Sequence, residues 1–213
     1  MGNRRKLAPF LGVLAPAVLL LMADLAIGDF EFFTLINQGL ANPILDIACA
    51  YVSPVLFSGF YVLTLAALFF SVNVKSRATA ILSIANGILS YVGGSLIKPL
   101  VQRPRPELLA AARVLSEARI VGFWHTSAFS FPSTTVMLAL GLTLPILLEK
   151  RRIGLVLVGL SYLMGFAVIY TGFHFPLDVA AGAFFSWAPT LCIDRVKKPL
   201  IHALSRTKPK EQE

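Results

Sequence analysis

Apolar stretches as long as a lipid bilayer is thick dominate this chain and limit what it can fold into. Hydrophobic residues make up 56% of its 213 residues, and charged residues make up only 14%. A helix needs about 20 mostly apolar residues to cross the hydrocarbon core of a membrane. The pattern therefore predicts an all-α integral membrane protein, a six-helix bundle. Its six predicted spans cover residues 7–27, 50–72, 78–97, 133–148, 153–170 and 179–193.

Basic residues are divided unequally between the two sets of loops that alternate along such a bundle. One set, together with both termini, contains 14 of the 19 Lys and Arg residues. An excess of Lys and Arg is typical of cytoplasmic loops. We therefore expect a multi-pass protein of the plasma (inner) membrane of a bacterial-type cell, with both termini in the cytoplasm.

The net charge of +8 also indicates which partners the chain has. The basic residues are dispersed over several loops, a distribution that favours anionic membrane lipids as partners and not nucleic acid.

We predict one six-span domain over residues 1–199 with its core at 28–193, followed by a basic cytoplasmic tail at 200–213. Residues 28–43 mix aromatic and acidic side chains, which indicates either a helix lying on the outer membrane face or an ordered loop.

Five basic residues fall in the outer loop between the third and fourth spans, where topology alone does not favour them. The five are Lys98, Arg103, Arg105, Arg113 and Arg119. Two other outer span ends carry polar side chains: Ser133 follows a proline at the start of the fourth span, and His174 and Asp178 lie four residues apart before the sixth. Both Ser133 and Asp178 are also suited to capping the helices that begin there. Because these span ends meet at one face, we predict an outward-facing active site.

The predicted site has groups that can bind a phosphate. Lys98 and Arg105 can neutralise the negative charge, arginine with a planar fork of donors and lysine as a point charge. The N-terminus of the fourth span adds backbone N–H groups, which favour an anion. We therefore expect Ser133, Thr134 and Thr135 to contribute to phosphate binding.

The same site has a candidate nucleophile. His174 can attack phosphorus through one ring nitrogen while Asp178 holds the other. The attack would produce a phosphohistidine that water then hydrolyses. Fixed cations can stabilise the transferring group, so we expect neither a metal ion nor another cofactor.

The order and spacing of these residues resemble those of the type 2 phosphatidic acid phosphatase family of integral membrane lipid phosphatases. Lys98 and Arg105-Pro106 match the family's first motif, which is Lys, six residues, Arg-Pro. Pro132-Ser133 match half of the second motif, Pro-Ser-Gly-His. His174 and Asp178 match the end of the third, which is Ser-Arg, five residues, His, three residues, Asp. The resemblance covers roughly residues 28–193 and implies six spans and an outward-facing site.

The chain departs from the family pattern at two places. Thr134-Thr135 stand where the second motif has Gly-His, and Ala167-Val168 stand where the third has Ser-Arg. The resemblance implies that the missing histidine would protonate the leaving group and that the missing arginine would clamp the phosphate. His125 in the outer loop is a candidate substitute for the acid. Arg103 is a candidate for the clamp, as are the two later arginines of that loop.

Three functions remain open at this point. The leading hypothesis is a membrane lipid phosphatase or phosphotransferase that acts on a lipid phosphate or diphosphate, such as polyprenyl diphosphate, phosphatidate or phosphatidylglycerophosphate. The alternative is a catalytically impaired pseudoenzyme that binds or presents a phospholipid. A proton-coupled transporter is a weaker third possibility, because the ionisable residues cluster at one membrane face and not at the midplane.

Overall fold

The structure, a computed structural model, describes residues 2–111, 118–122 and 128–206. Within these ranges the chain is helical and contains no β-strand beyond an isolated bridge between Pro104 and Phe129. A π-helical turn, Ala48–Val52, joins α3 to α4 without a break. The helices are α1 (Gly2–Ile27), α2 (Asp29–Asn37), α3 (Pro43–Ile47), α4 (Ser53–Phe69), α5 (Val74–Val101), α6 (Pro106–Ala111), α7 (Thr134–Glu149), α8 (Arg151–Tyr170), α9 (Pro176–Phe185) and α10 (Trp187–Arg206).

The described helices confirm the all-α, membrane-type architecture. Four helical segments are long and apolar enough to cross a bilayer: Pro43–Phe69, Val74–Val101, Arg151–Tyr170 and Pro176–Ile193. A fifth is possible if Gly12–Ile27 and α2, which meet at 108°, count as one broken span. The 16-residue α7 is apolar but shorter than these. Length and composition in the described part of the chain thus give four or five spans, and the count of six stays a prediction.

The short helix α7 lies at the centre of the bundle. Its residues Val136, Leu140, Leu144 and Leu147 are almost fully buried, and their spacing of three or four residues places them on one helix face. Hydrogen bonds from polar side chains join α7 to its neighbours. Asn86 of α5 donates to the Gly141 carbonyl at 2.7 Å. Because a buried backbone acceptor needs a partner, such bonds fix how the helices pack.

A sharp bend separates α1 from α2. Gly28 at the bend has a φ of +101°, a conformation in which a side chain is strained. The bend turns α2 back over the end of the bundle, where Phe33 packs edge-on against Phe175 with ring centroids 5.2 Å apart. A helix in residues 28–43 is therefore confirmed, and its placement on the outer membrane face stays a prediction.

Helix boundaries near the C-terminus differ from those predicted. The last span begins at Pro176, three residues before the predicted start. Proline is well suited to the first turn of a helix, because the N–H that it lacks has no helical acceptor there. The helix α10 runs to Arg206 and so crosses the predicted start of the tail at residue 200, with Pro199 inside it. Residues 207–213 lie outside the described residues.

Candidate active site

Three separate segments meet at one end of the bundle. They are the C-terminal turn of α5 with the loop after it, the start of α7, and the turn between α8 and α9. That turn depends on Gly172, whose φ is +90°, and a Cβ there would collide with the Arg119 carbonyl oxygen. The backbone N–H of His174 donates to the Val168 carbonyl at 3.1 Å. The turn thereby holds His174 just above the end of α8.

His174 and Asp178 form a buried pair. The His174 Nδ1 atom lies 3.4 Å from Asp178 Oδ2, and their side chains are 3% and 0% exposed. This separation is longer than a good hydrogen bond, and catalytic contacts commonly shorten when substrate binds. Burial, opposed by Asp178 and reinforced by Arg105, lowers the pKa of His174 to about 4. The imidazole is therefore neutral at pH 7.

Asp178 is not the N-cap that the sequence suggested, because the N-cap of α9 is Phe175. Asp178 is the third residue of the helix, and its Oδ2 accepts the Phe175 backbone N–H at 2.9 Å. This bond is one half of a capping box. The carboxylate therefore stabilises the helix start and faces the imidazole with the same oxygen.

Arg105 lies on the other side of the imidazole. Its NH1 atom donates to the Phe173 carbonyl at 2.7 Å and lies 3.3 Å from His174 Nε2. The side chain is almost completely buried, and this burial lowers the pKa of Arg105. Nε2 is the ring nitrogen that does not face Asp178. A cation beside it can therefore bind an anion that the imidazole attacks.

Lys98 holds the loop that leads into α7. Its Nζ donates to the carbonyls of Phe129 and Ser130, at 2.8 and 3.2 Å. An ammonium group has three donors, and within the described part of the chain these carbonyls take two of them. One N–H of this 5%-exposed side chain thus remains for a ligand.

Ser133 immediately precedes α7, but its hydroxyl makes no cap bond, so the capping role that the sequence also allowed is not seen. Its backbone N–H donates to the Asp178 carbonyl at 3.0 Å, which joins α7 to α9. The Oγ atom is buried and has no hydrogen-bond partner among the described residues. An unpaired buried hydroxyl costs about 1–3 kcal/mol, a cost that a bound anion would offset. Thr134 is buried and Thr135 is half-buried at the same helix start, where N–H groups lack helical acceptors.

The structure places Arg103 against the carboxylate of the pair. Its NH1 donates to Asp178 Oδ1 at 2.9 Å, and NH2 forms an ion pair with Asp29 of α2. The guanidinium carbon also lies 4.2 Å from the centre of the Phe175 ring. Sequence reasoning did not identify Asp29, because nothing in its own segment indicates that a bend brings it to Arg103.

The other candidate substitutes are not brought to this site in the described residues. Arg119 binds Asp46 through one nitrogen, at 2.9 and 2.8 Å from the two carboxylate oxygens. His125 and Arg113 lie outside the described residues. Val168, which stands where the resemblance expects an arginine, is 4% exposed and belongs to the main apolar cluster.

These features are those of a multi-pass helical membrane protein in which a buried histidine–aspartate pair lies beside basic side chains. The family model of the PAP2 superfamily matches residues 77–198. The chain belongs to this family, which confirms the resemblance seen in its motifs.

Two relatives support this assignment. The chain is 30% identical over 153 residues to undecaprenyl-diphosphatase BcrC of Bacillus subtilis (strain 168), a match that covers 71% of this chain and 75% of that protein. It is also similar to the crystal structure of Aquifex aeolicus LpxE. The TM-score is 0.53 at 27% identity, and the match covers 78% of this chain and 94% of that one.

Proposed function

We propose that this protein is a membrane lipid phosphatase or phosphotransferase that removes phosphate from a lipid phosphate or diphosphate through a phosphohistidine at His174. One observation carries the proposal: the neutral, buried imidazole faces Asp178 with Nδ1 and Arg105 with Nε2. This orientation is the one that a histidine needs to attack a bound anion. The membership of the PAP2 superfamily supports a phosphoric ester hydrolase.

Binding places phosphate oxygens among the donors of the site. The Arg105 guanidinium moves from Nε2 to a phosphate oxygen, and Lys98 provides its remaining N–H. The Ser133 hydroxyl and the N–H groups of Thr134 and Thr135 complete the set. These fixed donors and charges stabilise the transferring group, so the reaction that we propose requires no metal ion.

Two displacements at phosphorus then complete the reaction. In the first, the Nε2 lone pair of His174 forms the N–P bond, and the P–O bond to the leaving group breaks with its electron pair leaving on oxygen. The leaving group is the lipid alkoxide of a monophosphate or the lipid monophosphate of a diphosphate. Asp178 stabilises the positive charge that the ring acquires. In the second, a water oxygen attacks phosphorus, the N–P bond breaks with its electron pair returning to Nε2, and the water proton passes to solvent. A different acceptor in place of water would make the same site a phosphotransferase.

The leaving group favours a diphosphate over a monophosphate. Thr135 stands where the family has the histidine that protonates the departing oxygen, and a missing general acid costs a factor of about 10²–10⁴ in rate. When the terminal phosphorus of a lipid diphosphate is attacked, the leaving group is the lipid monophosphate, an anion that needs little protonation. The relative named undecaprenyl-diphosphatase supports the same choice. We place polyprenyl diphosphate first among the substrates, before phosphatidate and phosphatidylglycerophosphate.

We propose that the site faces the outer side of the plasma membrane, with six spans and both termini in the cytoplasm. The distribution of the basic residues supports this orientation. The lipid tail would then lie between spans, because much of the surface of α4 and α5 is apolar and exposed. Leu63 and Leu100 are examples, at 72% and 82% exposed.

A second function, phospholipid binding without turnover, is favoured by Thr135 and Val168. The first lacks an acidic proton for the leaving group, and the second lacks the charge of the family's phosphate clamp. Such a pseudoenzyme would keep Lys98, Arg105 and Ser133 for binding. Tight binding of a lipid phosphate with no release of phosphate would support it, and a phosphohistidine trapped at His174 would exclude it.

The test is a phosphate-release screen of the purified protein in nanodiscs against lipid phosphates and diphosphates. We expect release from at least one lipid diphosphate, with loss of activity in His174→Ala. The matched control is His202→Ala, because His202 is exposed on α10 and contributes nothing to the site. Absence of release from every lipid, or full activity in His174→Ala, would show that the phosphatase proposal is wrong.

A further inference from the structure

We infer that Arg103 and Asp29 are positioning residues that hold the Asp178 carboxylate in the orientation in which it faces His174. The bent arm formed by α1 and α2 thereby completes the site. This inference rests on the proposed function. It differs from the sequence-based expectation, in which Arg103 was a candidate to clamp the phosphate directly.

The two oxygens of Asp178 have different partners. Oδ2 accepts the Phe175 N–H and faces His174 Nδ1. Oδ1 accepts a hydrogen bond from Arg103 NH1 at 2.9 Å. A carboxylate that is held at only one oxygen can rotate about its Cβ–Cγ bond. Arg103 therefore prevents this rotation and keeps Oδ2 directed at the imidazole.

Arg103 is itself held by the bent arm. Asp29, the first residue of α2, pairs with Arg103 NH2, and the backbone N–H of Leu177 donates to Asp29 Oδ1 at 3.3 Å. The Phe175 ring lies beneath the guanidinium at 4.2 Å, a geometry that attracts a cation. The side chains of Arg103 and Asp29 are only 18% and 17% exposed. The interaction is therefore more shielded than an ordinary surface ion pair.

The need to bridge two carboxylates explains why an arginine suits position 103. Its guanidinium fork reaches Asp178 through NH1 and Asp29 through NH2 at the same time. A lysine keeps the charge but has a single nitrogen, so it cannot reproduce this planar bridge. We therefore expect Arg103→Lys to lie between the wild type and Arg103→Gln in activity.

The kinetic test compares Arg103→Lys, Arg103→Gln and Asp29→Asn on the lipid that the wild type hydrolyses. We expect kcat to fall about 10- to 100-fold in Arg103→Gln and Asp29→Asn, as it does when the outer partner of a metal-bound imidazole is removed. KM should change little, because in this inference both residues act on Asp178 and not on the phosphate. The matched control is Asp46→Asn, which breaks the Arg119 ion pair beside the same arm without touching Asp178. It should keep wild-type kcat.

Three results would overturn the inference: unchanged kcat in Arg103→Gln, equal losses in Asp29→Asn and Asp46→Asn, or a loss that appears mainly in KM. The last would mean that Arg103 contacts the phosphate. A second measurement does not depend on activity. In protein labelled with ¹⁵N-histidine, Arg103→Gln should shift the His174 Nδ1 resonance and Asp46→Asn should not. If the wild type releases no phosphate, the proposed function fails and the resonance alone decides whether Arg103 acts on the pair.

Discussion

The burial of His174 predicts that this residue contributes to the loss of stability of the protein in acid. Burial lowers the pKa of His174 from an ordinary 6.5 to about 4 in the folded state. The unfolded chain therefore binds a proton at a pH at which the folded chain does not. The folding stability associated with His174 is fully present above pH 6.5 and is lost as the pH falls towards 4.

The size of this effect follows from the difference between the two pKa values. Each unit corresponds to about 1.36 kcal/mol, so the drop from 6.5 to about 4 represents about 3 kcal/mol in the free energy of unfolding. At roughly 2–4 °C per kcal/mol for a chain of this size, Tm should fall by roughly 6–12 °C between pH 7 and pH 4. The measurement is thermal unfolding in detergent micelles at half-unit pH steps.

The control is His174→Gln, which keeps a polar side chain but does not titrate. Acid-sensitive groups away from the site act equally in both proteins, so the difference between the two Tm profiles reports His174 together with its partner Asp178. The wild type should lose the additional roughly 6–12 °C, and the two profiles should run parallel above pH 7. Profiles that stay parallel down to pH 4 would refute the claim that the folded state keeps this imidazole neutral.

Three further changes test other parts of the structure. Thr135→His should raise kcat on a lipid monophosphate by a factor of about 10²–10⁴ by supplying a general acid, and an unchanged rate would show that protonation does not limit turnover. Tyr61→Phe removes a buried hydroxyl bonded to a carbonyl of α7 at 2.9 Å and should cost about 1–3 kcal/mol, measured as a lower Tm with activity retained. Gly172→Ala, at a φ of +90°, should cost at least about 1–2 kcal/mol, whereas Gly159→Ala, with open space at its Cβ position, should leave Tm unchanged or raise it.

The helical, membrane-type fold could be predicted because apolar runs of this length have few alternatives in water or in lipid. The segment predicted at 153–170 agrees with α8 to within two residues. Boundaries were less predictable where polar residues take part in a helix. The last span starts at Pro176 because a capping box and the first-turn proline extend α9 into the polar segment. The short fourth span was predictable as well, because the span predicted at 133–148 differs from α7 by one residue at each end. Its central place among longer helices was not, because that depends on how the helices pack.

The site was predictable to the extent that its residues recur at fixed spacing. His174 and Asp178 lie one helical turn apart in sequence, so their pairing could be inferred from the spacing alone. The bridge from Arg103 to Asp29 could not, because it depends on the angle between α1 and α2. The sequence also left open whether the Ser133 hydroxyl caps α7 or stays available for a ligand, since a serine before a helix usually caps it.

The length of α7 determines how deep in the membrane the reaction would occur. At 1.5 Å per residue its 16 residues extend about 24 Å, and the hydrocarbon core of a bilayer is about 30 Å thick. If the other end of α7 lies at the opposite edge of the hydrocarbon core, Ser133 would lie below the level of the surrounding headgroups. A phosphate carried on a long hydrocarbon tail can be drawn down to that depth by its own anchor, whereas a freely diffusing sugar or nucleotide phosphate has nothing to hold it there. The protein would then select lipid substrates through the position of its site relative to the membrane surface, in addition to any selection by direct contact with the substrate.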